Sequence, residues 1–342
     1  MIRPALLVSP LLLLCASAGF AAASSYDVTG TIPVGGDGKW DYPSVDSSTH
    51  RLYLSRGTHV VVIDTATGKV AGDIPDTPGV HGIAIASDLG RGFISAGKAN
   101  QVMIFDLKTL RITAKVAVGS KPDAILFEPR TRQVFAFNGH SNDVSVIDAA
   151  EDRVVATLAL GGAPEFARAD TEGHIFVNLE NKNELAVVDV KTRRVTAHWA
   201  LPGCDGPTGL ALDARHHRSF SVCANSKMTI LDTTDGRSIV TLPIGARVDG
   251  AEFDADGQNA LSANGEGTLT VVHEADPEHF TVTQTVSTAL GARTLALDDR
   301  THKLYLPSAK FGPAAASTGE ESKAPIIPGS FFVLVLERGP AP

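Results

Sequence analysis

The sequence predicts an all-β fold, a seven-bladed propeller of four-stranded blades. Three observations carry this: an apolar third strand ending in Asp recurs at an almost constant interval, Val, Ile and Thr alternate with polar residues throughout, and helix-forming runs of period 3.6 are nearly absent. The third-strand ends set the register. VVID stops at Asp64, MIFD at Asp106, SVID at Asp148, VVDV surrounds Asp189 and TILD stops at Asp232, at intervals of 42, 42, 41 and 43 residues. LTVVH reaches His273 after a further 41, and FFVLVL ends a longer seventh unit at Leu336. One such sheet cannot bury both faces alone, so units of this length stack around an axis as a single closed array, residues 24–342.

Residues 1–23 are of another kind. Arg3 supplies a positive start, residues 5–14 a short apolar run, and Ala21, Ala22 and Ala23 a small-residue cleavage signal, which together predict a secretory signal peptide. Cys15 follows Leu14, where a lipoprotein signal needs a small residue, so lipidation is not expected. No other apolar stretch is long enough to span a membrane. A periplasmic or secreted, monomeric protein is expected, with no membrane insertion.

Closure is predicted from the two ends. The seventh unit stops after its third strand, and YDVTGTI at 26–32 alternates as a strand before the first unit. It is expected to complete the last blade, so that no seam is left as an open edge.

These motifs resemble the YVTN-type, YncE-like propeller repeats. The second-strand signature appears in altered form as FAFN at 135–138 and IFVN at 175–178, with LYLS at 52–55 and LYLP at 304–307 as variants, and VVIDTATGKV at 61–70 keeps the third strand and its turn. The resemblance spans the mature chain and implies the fold and export; it assigns no chemistry.

Function is therefore sought at the channel mouth, where the loops leading into the innermost strands meet. Blade by blade, the residue at that position is Asp41, His81, Asp123, Glu165, Thr208, Asp249 and Arg293. Six of the seven are ionisable and four are carboxylates, a like-charge ring that needs a cation, a proton or an arginine. Arg293 is expected to compensate Asp249 and Asp41, pulling the carboxylates beside it down while those beside other carboxylates are pushed up. His81, between Asp41 and Asp123, is expected to hold its proton tightly. Asp41, His81, Asp123 and Glu165 form a possible divalent-cation set, although no compact ligand motif is present, and polar residues facing a wet channel need no ligand at all.

Second strands end at Ser55, Ser95, Asn138, Asn178, Asn225 and Asn264, of which Asn138 and Asn178 are the candidate ligand contacts; as turn formers these residues also have a purely structural use. An insertion in the seventh unit, 310–329, carries Pro313, Pro325, Pro328 and the charges Glu320, Glu321 and Lys323, and is a candidate lid based on Phe311 and Gly312. With Cys15 removed, Cys204 and Cys223 remain, both at the mouth side of the fifth unit, and a disulfide is expected. Trp40 beside Asp41 could stack on a ligand ring but reads rather as junction packing; His216 and His217 read as solvated residues of a turn on the opposite face, and His50 and His302, in matching turns, as features of the repeat and not as ligands.

Thirty basic against thirty-eight acidic residues give a net charge of −8, with no basic cluster, so nucleic acid is not an expected partner. Two functional readings remain. In the first, the mouth binds a small polar molecule or a periplasmic protein. In the second, the ring serves a cation-assisted lyase or hydrolase of lactonase type, with Arg293 holding an anionic group.

Overall fold

The computed structural model describes residues 25–313 and 324–339. The predicted leader 1–23 therefore lies outside the described residues, as do Glu320, Glu321 and Lys323 of the insertion. Seven four-stranded antiparallel sheets surround a central channel, and six of them follow chain order from the axis outward. Blade 1, for example, runs Pro43–Asp46, Arg51–Ser55, Val60–Asp64 and Lys69–Ile74. Blade 7 is composite: Ala296–Asp298, Lys303–Ser308 and Phe332–Arg338 are followed on the outside by Tyr26–Pro33, with Tyr26 opposite Arg338 and Pro33 opposite Phe332. One short 3-10 turn, Ser87–Leu89, is the helical content of the described residues.

The recurrent Asp that set the register has a local cause. It ends the third strand and accepts backbone N–H groups of the following turn, as Asp64 does from Thr67 at 2.8 Å and Asp106 from Thr109 at 2.7 Å. The turn then reverses the chain into the outermost strand.

The core lies between blades rather than within one. Phe135, Phe137, Val144 and Val146 of blade 3 meet Ile175, Val177, Ala186 and Val188 of blade 4, and Leu52, Leu54 and Ile63 of blade 1 meet Tyr305 and Val333 of blade 7. The near-continuous apolar runs of the second and third strands, such as Arg51–Ser55 and Val60–Asp64, thus bury both sheet faces because a neighbour stands on each side.

The ring closure is locked by a buried carboxylate. Asp254 of blade 6, only 1% exposed, accepts the Tyr26 hydroxyl at 2.5 Å, Arg338 at 2.8 Å and His302 Nδ1 at 3.1 Å. His302 is thereby a bonded, half-buried residue. His216, expected to be solvated, is instead half-buried, with Nδ1 2.8 Å from Glu274 of the next blade. Among the described residues no helix is long and apolar enough to cross a membrane.

Candidate functional site

The ring positions coincide with a repeated backbone irregularity. In blades 2 to 6 the pairing of the innermost strand with the second slips immediately after Val80, Pro122, Pro164, Pro207 and Val248, so His81, Asp123, Glu165, Thr208 and Asp249 each occupy a bulge. A bulge re-aims the side chain it carries. In blades 1 and 7, Asp41 and Arg293 precede the first paired residue and are placed by loop contacts: Asp41 N–H donates to Ser55 Oγ at 2.8 Å, and Thr294 Oγ1 donates to the Asp41 carbonyl at 3.0 Å.

The six ionisable residues meet around one channel end. His81 Nδ1 donates to Asp41 Oδ2 at 2.6 Å and stands 3.5 Å from Asp123 Oδ1, and Arg293 Nε donates to Asp249 Oδ2 at 2.6 Å. Gly97 makes room for the imidazole, since a Cβ there would lie 3.0 Å from His81 Cδ2. Two further residues complete the arrangement. Lys121 Nζ is 3.3 Å from Asp123 Oδ2, and the buried Tyr42 hydroxyl donates to Glu165 Oε1 at 3.4 Å. The Tyr42 ring meets Phe166 edge-on across the channel, centroids 4.7 Å apart, and forms a floor beneath the charges. Beyond that floor a cavity of about 320 Å³ continues toward the opposite face, with Arg168 paired to Glu252 at 2.6 Å in its wall.

Burial governs the titration of this cup. It pushes Glu165 well above the ordinary carboxylate range, reinforced by Asp123 and Asp249. Asp123 rises for the same reason, with His81 drawing it back. Asp249 is pushed up to about 7 by burial and by Asp41. This overturns the expectation that a carboxylate beside Arg293 would be lowered: the guanidinium, 45% exposed, is outweighed by the desolvation of its partner. For His81, burial opposes the charged form, but the hydrogen bond to Asp41 and the charges of Asp123 and Asp41 prevail and its pKa is raised.

Asn138 and Asn178 do not reach the cup. Both are fully buried. Asn178 donates to the Thr208 and Gly209 carbonyls at 2.9 and 3.0 Å and accepts from Ser221 Oγ, while Asn138 donates to Asp143 and Ser145 of its own hairpin. Ser95, like Asn178, is spent on the backbone of the next blade's loop: it accepts Gly82 N–H and donates to the Asp123 carbonyl. They position the loops that carry the ring. Asn225 falls beyond its strand, in an exposed turn, where it donates to the Gly203 carbonyl.

Of the four residues foreseen for a cation, Asp41, His81 and Asp123 offer donor atoms within 4.8 Å of one another; Glu165, one blade further and engaged by Tyr42, stands outside that group. Trp40 packs on Phe331 and Phe311, ring centroids 5.4 and 6.3 Å away, as a junction residue would. The insertion leaves the barrel on a short stem, with Gly312 N–H donating to Pro325 and Ile327 N–H to Lys310. Phe311 of that stem covers Gly291, two residues before Arg293. Cys204 and Cys223 form a disulfide, Cα atoms 5.5 Å apart, bracing the loop that leads to Thr208.

Lys121 and Tyr42 were not among the residues foreseen. A sequence signal exists for Lys121, a cation two residues before a ring carboxylate, a place Lys39 and Arg247 hold in blades 1 and 6.

No protein-family model matches the chain, and no curated protein matches it. Among solved structures the chain is similar to Kuenenia stuttgartiensis hydrazine synthase, with TM-score 0.69 at 15% identity over 80% of this chain and 92% of that one. It is similar to U3-55K, TM-score 0.74 at 10% identity over 89% and 97%, and to the RRP9 WD40 repeats, TM-score 0.75 at 11% identity over 92% and 99%. At such identities the likeness is one of fold, and it agrees with the sheets described above: the chain is a seven-bladed β-propeller.

Proposed function

We propose that the chain is an exported binding propeller whose channel mouth holds a small polar ligand bearing a positive charge or several hydrogen-bond donors. The observation that carries this is a cup in which four carboxylates, Asp41, Asp123, Glu165 and Asp249, face the cations Lys121, Arg293 and His81 around Tyr42. Burial and mutual repulsion favour the protonated forms of Asp123, Glu165 and Asp249, and a bound cation would take the place of those protons and relieve the repulsion. The Cys204–Cys223 bridge supports an oxidising compartment, and the leader-like residues 1–23 support export.

A second reading follows from the Asp41, His81 and Asp123 grouping: a divalent cation held there with Arg293 at the rim would suit a cation-assisted lyase or hydrolase of lactonase type. Titration calorimetry with zwitterionic amino acids, diamines, Ca²⁺, Mn²⁺ and Zn²⁺ separates the two. Binding of an organic cation that disappears in Asp123→Asn/Glu165→Gln, with the circular dichroism unchanged, supports the first reading. Metal uptake at the mouth accompanied by lactone turnover supports the second. A double variant that binds every probe as the wild type does would sink both.

A further inference from the structure

We propose that Asp213, His216 and Glu274, on the face opposite the mouth, form a site for a borderline divalent cation such as Zn²⁺ or Mn²⁺ that staples blade 5 to blade 6. Asp213 ends the innermost strand of blade 5, Pro207–Asp213, and His216 lies in the turn that follows it. Glu274 belongs to the third strand of blade 6, Thr268–Asp276. The turn fixes its own ligands. Asp213 Oδ1 accepts the Arg215 and His216 N–H groups at 2.9 and 3.3 Å, which leaves Oδ2 facing His216 Nδ1 at 2.8 Å. From the other side Glu274 Oε1 also stands 2.8 Å from that nitrogen.

One imidazole nitrogen is thus shared by two carboxylates, 5% and 0% exposed. Their charges sum to −2, and a protonated His216 returns only +1. Among the described residues no Lys or Arg lies within ion-pair distance of either carboxylate. Single buried acids at matching strand ends, Asp46, Glu128 and Asp298, also have no Lys or Arg partner but are satisfied by hydrogen bonds from their own turns, whereas here two buried carboxylates converge on one imidazole nitrogen. In addition, Glu274 Oε2 is buried and accepts no hydrogen bond. An ionised pair of this kind needs another cation, since a buried charge without a partner is strongly disfavoured. A proton is one answer, and burial beside Asp213 does push Glu274 up to about 7. A metal ion answers the geometry as well as the charge, because the three donor atoms lie within 4.8 Å of one another. One imidazole nitrogen with two carboxylates is a donor set for a borderline ion rather than for Ca²⁺ or Mg²⁺. The nearby Asp170, Glu172 and His174 group makes the contrast plain: Glu172 is exposed, and no buried oxygen of that group lacks a donor.

The test uses the full chain carrying His81→Ala and Asp123→Asn, so that the mouth cannot contribute a metal. After removal of metals with a chelator and dialysis against micromolar Zn²⁺, elemental analysis is expected to find one zinc per chain, and the melting temperature to rise by several degrees. Adding Glu274→Gln, which keeps the side-chain shape, is expected to abolish both effects; His216→Gln serves as the second variant should the first disturb folding. Absence of bound zinc in the mouth-silenced chain, or its retention in both variants, would overturn the proposal and leave the cluster a proton-sharing contact.

Discussion

Asp249 offers the sharpest test of how the cup is built, because its substitution should stabilise the protein. Its carboxyl titrates at about 7 in the fold against an ordinary 3.8, and holding it ionised therefore costs up to about 4 kcal/mol at alkaline pH. Between these two values the native state retains a proton that the unfolded chain has lost. Stability accordingly falls as pH rises through that window, and the cost is complete above about 7. Asp249→Asn removes the charge while keeping shape and hydrogen-bonding capacity. Arg293 loses its partner in the exchange, and Asp41 readjusts its own interactions, so a net gain of about 1–4 kcal/mol at pH 8 is expected. For a chain of this size that is a rise in melting temperature of roughly 2–6 °C. Melting curves of wild type and variant from pH 4 to pH 8 are expected to diverge steadily with pH and nearly coincide at pH 4. A variant less stable than wild type at pH 8, or a difference that does not change with pH, would refute the burial argument.

Three other outcomes are expected. The His81 imidazole should titrate above 6.5 by NMR and move down in Asp41→Asn; the stabilisation it confers is complete below its unfolded value and is lost as pH climbs past the raised one. Replacing Cys204 and Cys223 by Ser opens a loop spanning 19 residues and should cost about 3 kcal/mol in chemical denaturation, with a loss near zero arguing that the loop is held without the bridge. Tyr26→Phe removes a hydrogen bond to the buried Asp254 carboxylate and should lower stability by about 1.5–3 kcal/mol, chiefly by speeding unfolding, which stopped-flow measurements would detect.

The blades were legible because their cause is local. An Asp that caps a turn within three residues, as at Asp64, repeats wherever the turn repeats, and alternation marks a strand without knowledge of its neighbours. The ring positions were legible for a related reason: each sits at the same offset in its unit, and the bulge there is a property of one hairpin. What escaped depends on pairs far apart in the chain. Tyr42 reaches Glu165 across 123 positions, and His216 meets Glu274 across 58, at distances only the curvature of the ring sets. The sign of the Asp249 shift escaped too. Proximity to Arg293 can be inferred from blade order, whereas the depth of burial that outweighs it cannot. Asn138 and Asn178 were misplaced because a polar residue at a strand end says nothing about which way its amide turns.

The composite seventh blade also bears on when the protein can become itself. Its outermost strand, Tyr26–Pro33, is made early, and the strand it pairs with, Phe332–Arg338, some three hundred residues later. Until that second strand emerges from whatever machinery delivers the chain, blades 1 to 6 can stack but blade 7 cannot form, and the early strand presents an unpaired edge. Completion is therefore reserved for the whole chain, and a translation product truncated before the last strand is left open, adhesive and a ready substrate for proteolysis.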